Sequence, residues 1–264
     1  VRLKIKWIGF IALALSFFVP NVFAGKVAIV IDDIGYKKSD RQLLNLNAAL
    51  TFAVLPHTPL GAEYAKLAAQ NKRDVIIHLP MQARQHNRLL GPGALLTDMT
   101  KQQYQQTLIS ALEDIPYAVG VNNHMGSLLT QMEQPMAWTM ELLRQHNMFF
   151  LDSKTTKHSK IESVASEWGV NALHRNIFLD HHRDKKQIRK QFKRLINIAK
   201  NYGMAIGIGH PYGETYEVLQ EQIGELEAAG IELVPLSSLL PTSPVIQFAG
   251  QRPDYQTQEP TISE

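Results

Sequence analysis

Short apolar segments at 27–31, 50–55, 75–79, 118–121, 148–151, 177–179, 204–208 and 231–234 alternate with amphipathic stretches at 60–70, 101–112, 136–146, 185–202 and 215–229. A chain that returns through a helix after each strand brings successive strands into the sheet in parallel. Seven or eight such units predict a closed barrel in place of an open sheet. The 264 residues suit one domain of this kind, and no shorter internal repeat interrupts the alternation.

The first strand carries the densest information. Val27-Ala-Ile-Val-Ile-Asp-Asp-Ile-Gly35 runs five apolar residues into two adjacent carboxylates, as expected of a strand buried on both faces whose C-terminal end opens into a site. In an extended segment Asp32 and Asp33 point to opposite sides, so they cannot share one job. One could hold a metal while the other takes a proton. A purely structural reading has Asp33 capping the following turn and Asp32 making a fixed hydrogen bond.

The chain has no cysteine, which removes disulfides and thiolate metal sites and leaves any transition metal to His and carboxylate ligands. Residues 1–24 have the form of a secretory signal peptide: Arg2, Lys4 and Lys6 precede an apolar run from 7 to 19, and Val22-Phe23-Ala24 ends in a small residue. Cleavage after Ala24 is expected; an uncleaved anchor is the alternative, and the sole route to a membrane. The export signal holds three of the 27 basic residues and no acid, so 24 basic residues balance 24 acidic ones in 25–264. The mature chain therefore gives no electrostatic support for a nucleic-acid partner. The seven basic residues of 183–194 read as a solvated helix face, with Phe192, Leu195 and Ile198 on its apolar side. Past Leu240 the composition turns to Pro, Gln, Thr and Ser, so 241–264 is expected to be a flexible tail after a domain at 25–240.

The strand ends form a series: Asp32-Asp33, His78-Leu-Pro-Met81, Asn122-Asn-His-Met-Gly-Ser127, Asp152-Ser-Lys154, Asp180-His-His182 and Gly209-His-Pro211. In a parallel barrel these ends gather at one mouth. A lone His is usually an ordinary core or loop residue, but ligand-type residues at successive strand ends are harder to dismiss. His57, His86, His146, His158, His174, His181 and His182 fall outside the series or at its margin. Two imidazoles and a carboxylate leave a tetrahedral ion one open position, as catalytic sites require. A free carboxylate beside the ion can act as base and a His across the site as acid.

Ile31-Asp-Asp-Ile-Gly35, Phe52-Ala-Val-Leu-Pro56, His78-Leu-Pro-Met81, Asn123-His-Met-Gly-Ser127, Phe150-Leu-Asp-Ser153, Phe178-Leu-Asp180 and Gly209-His-Pro211 resemble the motifs of the divergent polysaccharide deacetylases, a branch of the NodB-like carbohydrate esterases. The resemblance spans nearly all of 26–240. It implies an α/β fold, a distorted parallel (β/α)7 barrel, and metal-dependent removal of acetyl groups from an N-acetylated glycan. Asp32 becomes the base, Asp33 a metal ligand and His210 the acid. Typical members take two ligands from His residues four apart on one strand end; position 82 is Gln82 here, so the third ligand falls to His124 beside His78 and Asp33. They also carry an Arg on strand four that orients the base, where this chain has Asn-Asn-His, and an Asp-Trp pair where this chain has Asp152-Ser153. Asp152, Asp180, Asn123 and Ser127 are expected to orient substrate or the catalytic groups.

The expectation is thus an exported, periplasmic or extracytoplasmic hydrolase with a divalent ion, zinc by ligand type, acting on a glycan such as a peptidoglycan fragment. The rival is a non-catalytic glycan-binding or cell-wall regulatory protein that keeps the barrel and metal site. Phosphoester hydrolysis is weaker, since no Arg or Lys cluster accompanies the strand-end ligands.

Overall fold

A computed structural model describes residues 25–241; the expected signal peptide and nearly all of the expected tail lie outside the described residues. The strands are β1 (Gly25–Ile34), β2 (Thr51–Val54), β3 (Val75–Met81), β4 (Gly120–Met125), β5 (Phe149–Asp152), β6 (Ala172–His174), β7 (Ile177–Phe178), β8 (Met204–Gly209) and β9 (Ile231–Leu233). The helices are α1 (Arg41–Leu44), α2 (Gly61–Gln70), α3 (Lys101–Asp114), α4 (Glu133–Gln145), α5 (Ile161–Trp168), α6 (Lys185–Tyr202), α7 (Gly213–Gln222) and α8 (Gly224–Ala228). The strands pair in the order β6-β5-β4-β3-β2-β1-β8-β7, with β9 added on β1. Every ladder is parallel. The result is the expected α/β architecture, a curled, distorted parallel barrel, but not the closed ring that the strand count predicted. Its pairing path ends at β6 and at β7, leaving a seam between these two.

β1 organises the sheet. Residues Val27 to Ile31 are wholly buried, and β8 pairs with the strand from Lys26↔Met204 to Ile31↔Gly209. The opposite edge is shared, β9 taking Gly25 to Val27 and β2 joining from Val30↔Thr51 onward. Strand alternation separates two apolar clusters. Val27, Ile29 and Ile31 join the large one with helix residues such as Leu195 and Leu219. Ala28 and Val30 join a smaller one inside the curl with Ala53, Ile76, Leu151, Ile206 and Ile208.

The basic run forms the expected amphipathic helix. In α6, Ile188, Phe192, Leu195, Ile196 and Ala199 are buried, each large side chain contributing ~2 kcal/mol of transfer free energy. The Asp184 carboxylate accepts from the Gln187 amide at 2.9 Å to start the helix, and Gly203 ends it at φ 82°. Outside, Lys185 and Arg189 pair with Glu217 and Glu221 of α7. β6, α1 and α5 are additions to the sequence reading: each is short, and β6 ends at His174, which had no place in the strand-end series.

Candidate active site

The pairing of β1 with β2 steps from Ile31↔Phe52 to Ile34↔Val54, so one extra residue sits in β1 at Asp32–Asp33, a β-bulge. Asp33 lies in the left-handed region at φ 58°. Continuing the alternation, Asp32 follows Ala28 and Val30 into the curl, whereas Asp33 would follow Ile29 and Ile31 toward the helices. The bulge cancels that divergence and brings both carboxylates to one imidazole: His78 Nε2 is 3.2 Å from Asp33 Oδ1 and 3.7 Å from Asp32 Oδ2. The expectation of opposite directions is therefore corrected. Nor does Asp33 cap the next turn; Asp40 Oδ2 does, accepting from the amides of Gly35 and Lys37 at 3.1 Å each.

His78 and His124 arrive from adjacent strands in matched register. His78 pairs with Asn122 and Pro80 with His124, so His78, Asn122 and His124 share the inner face with Ile76. His124 Nδ1 is 3.0 Å from His78 Nε2 and 3.1 Å from Asp33 Oδ1. The other nitrogen of each ring has an acceptor: His78 Nδ1 donates to Asn122 Oδ1 at 2.8 Å and His124 Nε2 to the Leu89 carbonyl at 3.3 Å. These bonds select tautomers whose remaining lone pairs face Asp33 Oδ1, a buried oxygen that has no hydrogen-bond donor. Three lone pairs turned on one another call for positive charge between them. Tetrahedral zinc with ~2.0–2.1 Å bonds spaces its ligand atoms about 3.4 Å apart, close to the 3.0–3.2 Å triangle found here. Imidazole N–H groups braced by acceptors are the usual companions of such ligands. The donor set therefore fits a divalent ion, and Asp33, His78 and His124 are the one group of that kind among the described residues. Protons answer the same need: burial disfavours charge on both groups, yet the acids around His78, Asp32 foremost, raise its pKa, and His124 and His78 hold Asp33 well below the carboxylate range.

Asn122 ties this triangle to the second carboxylate. Its Nδ2 donates to Asp32 Oδ1 at 2.8 Å and approaches Ser153 Oγ at 3.3 Å, while its Oδ1 holds His78. Asp32 is 2% exposed. Burial raises its pKa, against the charges of His78 and His210 and the Asn122 hydrogen bond.

Across the mouth, His210 follows β8 on the face of Ile206 and Ile208. Its Nδ1 donates to Asp180 Oδ1 at 2.8 Å; its amide and the Thr215 hydroxyl donate to Asp180 Oδ2 at 2.6 and 2.7 Å. Burial pulls the His210 pKa down, but the Asp180 hydrogen bond and charge, with Asp32 and Asp33 beyond, outweigh it and lift it to about 9. The ring is therefore an imidazolium at neutral pH.

The remaining expected residues serve as braces. Asn123 Oδ1 accepts from the Ser153 amide at 2.9 Å and its Nδ2 donates to the Met125 carbonyl at 2.7 Å. Ser127 Oγ accepts from the Arg84 amide at 3.2 Å. Asp152 shares the helix-facing parity of Phe150; its Oδ1 accepts from the Lys154 amide at 2.7 Å and its Oδ2 is 3.7 Å from Lys154 Nζ. Of the two strand-end aspartates expected to orient substrate or the catalytic groups, Asp180 bonds His210 and Asp152 bonds its own turn. Gln82 Oε1 accepts from the Thr97 amide at 2.7 Å. His181 and His182 are exposed and face each other, ring centroids 4.8 Å apart. The sequence reading missed Asn122 as the link between base and ligand, although its spacing of two from His124 placed both on one face. It also missed Arg175, whose guanidinium has no strand-end signature.

The chain matches the model of the family described as divergent polysaccharide deacetylase over residues 29–240. It is 40% identical over 229 residues to YibQ of Escherichia coli (strain K12), covering 86% of this chain and 70% of that protein. The crystal structure of ATU2773 from Agrobacterium tumefaciens C58 superposes with a TM-score of 0.78 at 20% identity, covering 81% of this chain and 89% of that one. The Bc1960 peptidoglycan N-acetylglucosamine deacetylase superposes with a TM-score of 0.57 at 14% identity, covering 85% and 92% respectively. These structural likenesses concern the fold.

Proposed function

Since this chain belongs to the divergent polysaccharide deacetylase family, we propose that it is an exported, metal-dependent hydrolase that removes acetyl groups from an N-acetylated glycan derived from the cell wall. The observation that carries this reading is the triangle of Asp33, His78 and His124, with Asp32 on one side and a protonated His210 on the other. The peptidoglycan-directed relative of like fold supports the choice of substrate class, and the signal-like residues 1–24 support export.

Asp33, His78 and His124 would hold the ion, zinc by its donor set, which when bound supplies Lewis-acid activation of water and of the acetyl carbonyl. Asp32, buried and fixed through Oδ1 by Asn122, takes a proton from the attacking water on its free Oδ2. The water oxygen bonds to the acetyl carbon and the carbon–nitrogen bond breaks. His210, held through Nδ1 by Asp180, gives the Nε2 proton to the departing amine. Asn122 does the work of the Arg that typical members use to orient the base, bonding the base and the ligand His78 with one amide.

Acetate release from N-acetylated chitooligosaccharides and peptidoglycan fragments, measured on protein loaded stoichiometrically with zinc, tests the reading. The expected result is turnover by the native chain and its loss in Asp32→Asn with metal content unchanged. Glycan binding without acetate from the fully loaded native protein would replace the enzyme with a binding protein.

A further inference from the structure

The hydrogen bond to Asp180 fixes one point of the His210 ring, and a ring held at one point can still tilt about it. Two aromatic rings lie nearly parallel to the imidazole: Phe178 with centroids 6.1 Å apart and planes at 26°, and Tyr212 at 5.5 Å and 25°. Each of these rings in turn carries a guanidinium, Arg175 Cζ lying 3.7 Å from the Phe178 centroid and Arg183 Cζ 4.1 Å from that of Tyr212. The series Arg175, Phe178, His210, Tyr212, Arg183 is anchored at both ends. Arg175 donates from Nε to the Ser153 carbonyl at 2.7 Å and from Nη2 to the Lys154 carbonyl at 3.1 Å. Arg183 Nη2 is 3.6 Å from Glu214 Oε2 on α7.

One of the anchors lies at the open seam of the sheet. Arg175 belongs to the connection between β6 and β7, the two ends of the pairing path. Its backbone amide donates to the Asp152 carbonyl at 3.0 Å. Its side chain thus joins the turn after β5 to Phe178 of β7 with no ladder between them. A guanidinium suits this task because it bonds carbonyls with its edge while stacking with its face. With guanidinium groups already on their faces, Phe178 and Tyr212 are engaged by protein and are poor platforms for a sugar ring.

We propose that Arg175, Phe178 and Tyr212 are positioning residues that clamp the His210 ring across the open seam of the sheet. The inference rests on the reading of His210 as proton donor. Its physical basis is that proton transfer to a leaving nitrogen tolerates little error in donor direction, whereas substrate binding and metal retention do not depend on it.

Four ring variants and Arg175→Lys test the clamp on metal-loaded protein. Phe178→Leu and Tyr212→Leu remove the stacked faces; Phe178→Tyr and Tyr212→Phe keep them; Arg175→Lys keeps the charge and removes the planar fork. Expected in both leucine variants and in Arg175→Lys is a kcat lower by about tenfold with KM and metal content unchanged. The His210 ring-proton NMR signals should move downfield in the leucine variants as the aromatic ring currents are lost. The aromatic-for-aromatic variants should restore rate and signals alike. Unmoved His210 signals in both leucine variants would overturn the clamp, and so would a loss carried equally by KM or by metal content. If His210→Gln retained full acetate release, the donor role would fall, while the ring signals would still decide whether the stack exists.

Discussion

On the β1–β3–β4 side of the mouth, three lone-pair atoms stand 3.0–3.2 Å apart, one of them a carboxylate oxygen with no donor. On the β7–β8 side, both oxygens of Asp180 are met by donors from His210 and Thr215. The first arrangement is incomplete by itself and gains from a cation; the second is complete and gains from nothing added. One half of the mouth therefore trades stability for binding, and the other spends its hydrogen bonds on holding a proton at a chosen place.

Asp33→Asn probes the contrast hardest, because it keeps the shape of the side chain, removes its charge and puts a donor in place of one oxygen. Metal should be lost and acetate release should fall by about 10³-fold or more, as expected when a site loses both its ion and the activated water. The metal-free variant should be less stable than the metal-free native chain, since it loses the carboxylate that His124 and His78 hold in its charged form. Metal analysis and thermal denaturation after chelation measure both effects. A variant that kept its zinc would erase the distinction between the two halves.

His210→Gln is the matching change in the complete half. Metal should remain, while kcat falls by ~10²–10³-fold through loss of the general acid. The pH dependence follows from the same group. Folded His210 keeps its proton to about pH 9, against ~6.5 in an unfolded chain. Its contribution to stability is therefore complete below ~6.5 and is lost as pH rises through about 9. In native protein kcat should fall on the alkaline side as the acid deprotonates, and the extra stability slope between these values should vanish in His210→Gln. Parallel pH–rate profiles and denaturant midpoints check the two statements.

Asn122 joins the halves, so its removal should have an intermediate effect. Asn122→Ala leaves His78 Nδ1 and Asp32 Oδ1 without their partner, and loss of such a brace typically costs ~10–100-fold in metal affinity or activity. Titration with a metal indicator, beside acetate release at saturating zinc, separates the two. An effect confined to metal affinity would remove Asn122 from the orientation of the base.

The strand parity behind this comparison was readable before any coordinates. Ile76 with His78, Asn122 with His124, and Ile208 with His210 follow the period of two that puts side chains on one face, and α6 followed from its apolar spacing. Asp33 was not readable in this way. A bulge depends on pairing with a partner strand, and the partner register between Phe52 and Val54 is a tertiary fact. Nor did the strand-end motif reveal that Asp152 bonds its own turn, because it drew attention to position while parity with Phe150 pointed to the helices. The Arg175 stack was hidden for another reason: it joins residues of three loops and a two-residue strand, where periodicity has nothing to repeat.

The smallest effect belongs to Gln82, where typical family members carry their second His ligand. Its Oε1 bonds the Thr97 amide, and the strand-three member of the candidate metal triangle is His78, which pairs directly with Asn122. Gln82→Ala should leave zinc stoichiometry and kcat unchanged and cost about 1 kcal/mol of stability through the lost loop hydrogen bond. Gln82→His should likewise bind no second ion and gain no affinity, because the position that a ligand at 82 would supply is already filled by His124 from β4. Competition with a chelator of known affinity measures this directly. Tighter zinc binding in Gln82→His would mean that the loop can rotate toward the ion and that the triangle of Asp33, His78 and His124 is not the complete protein ligand set.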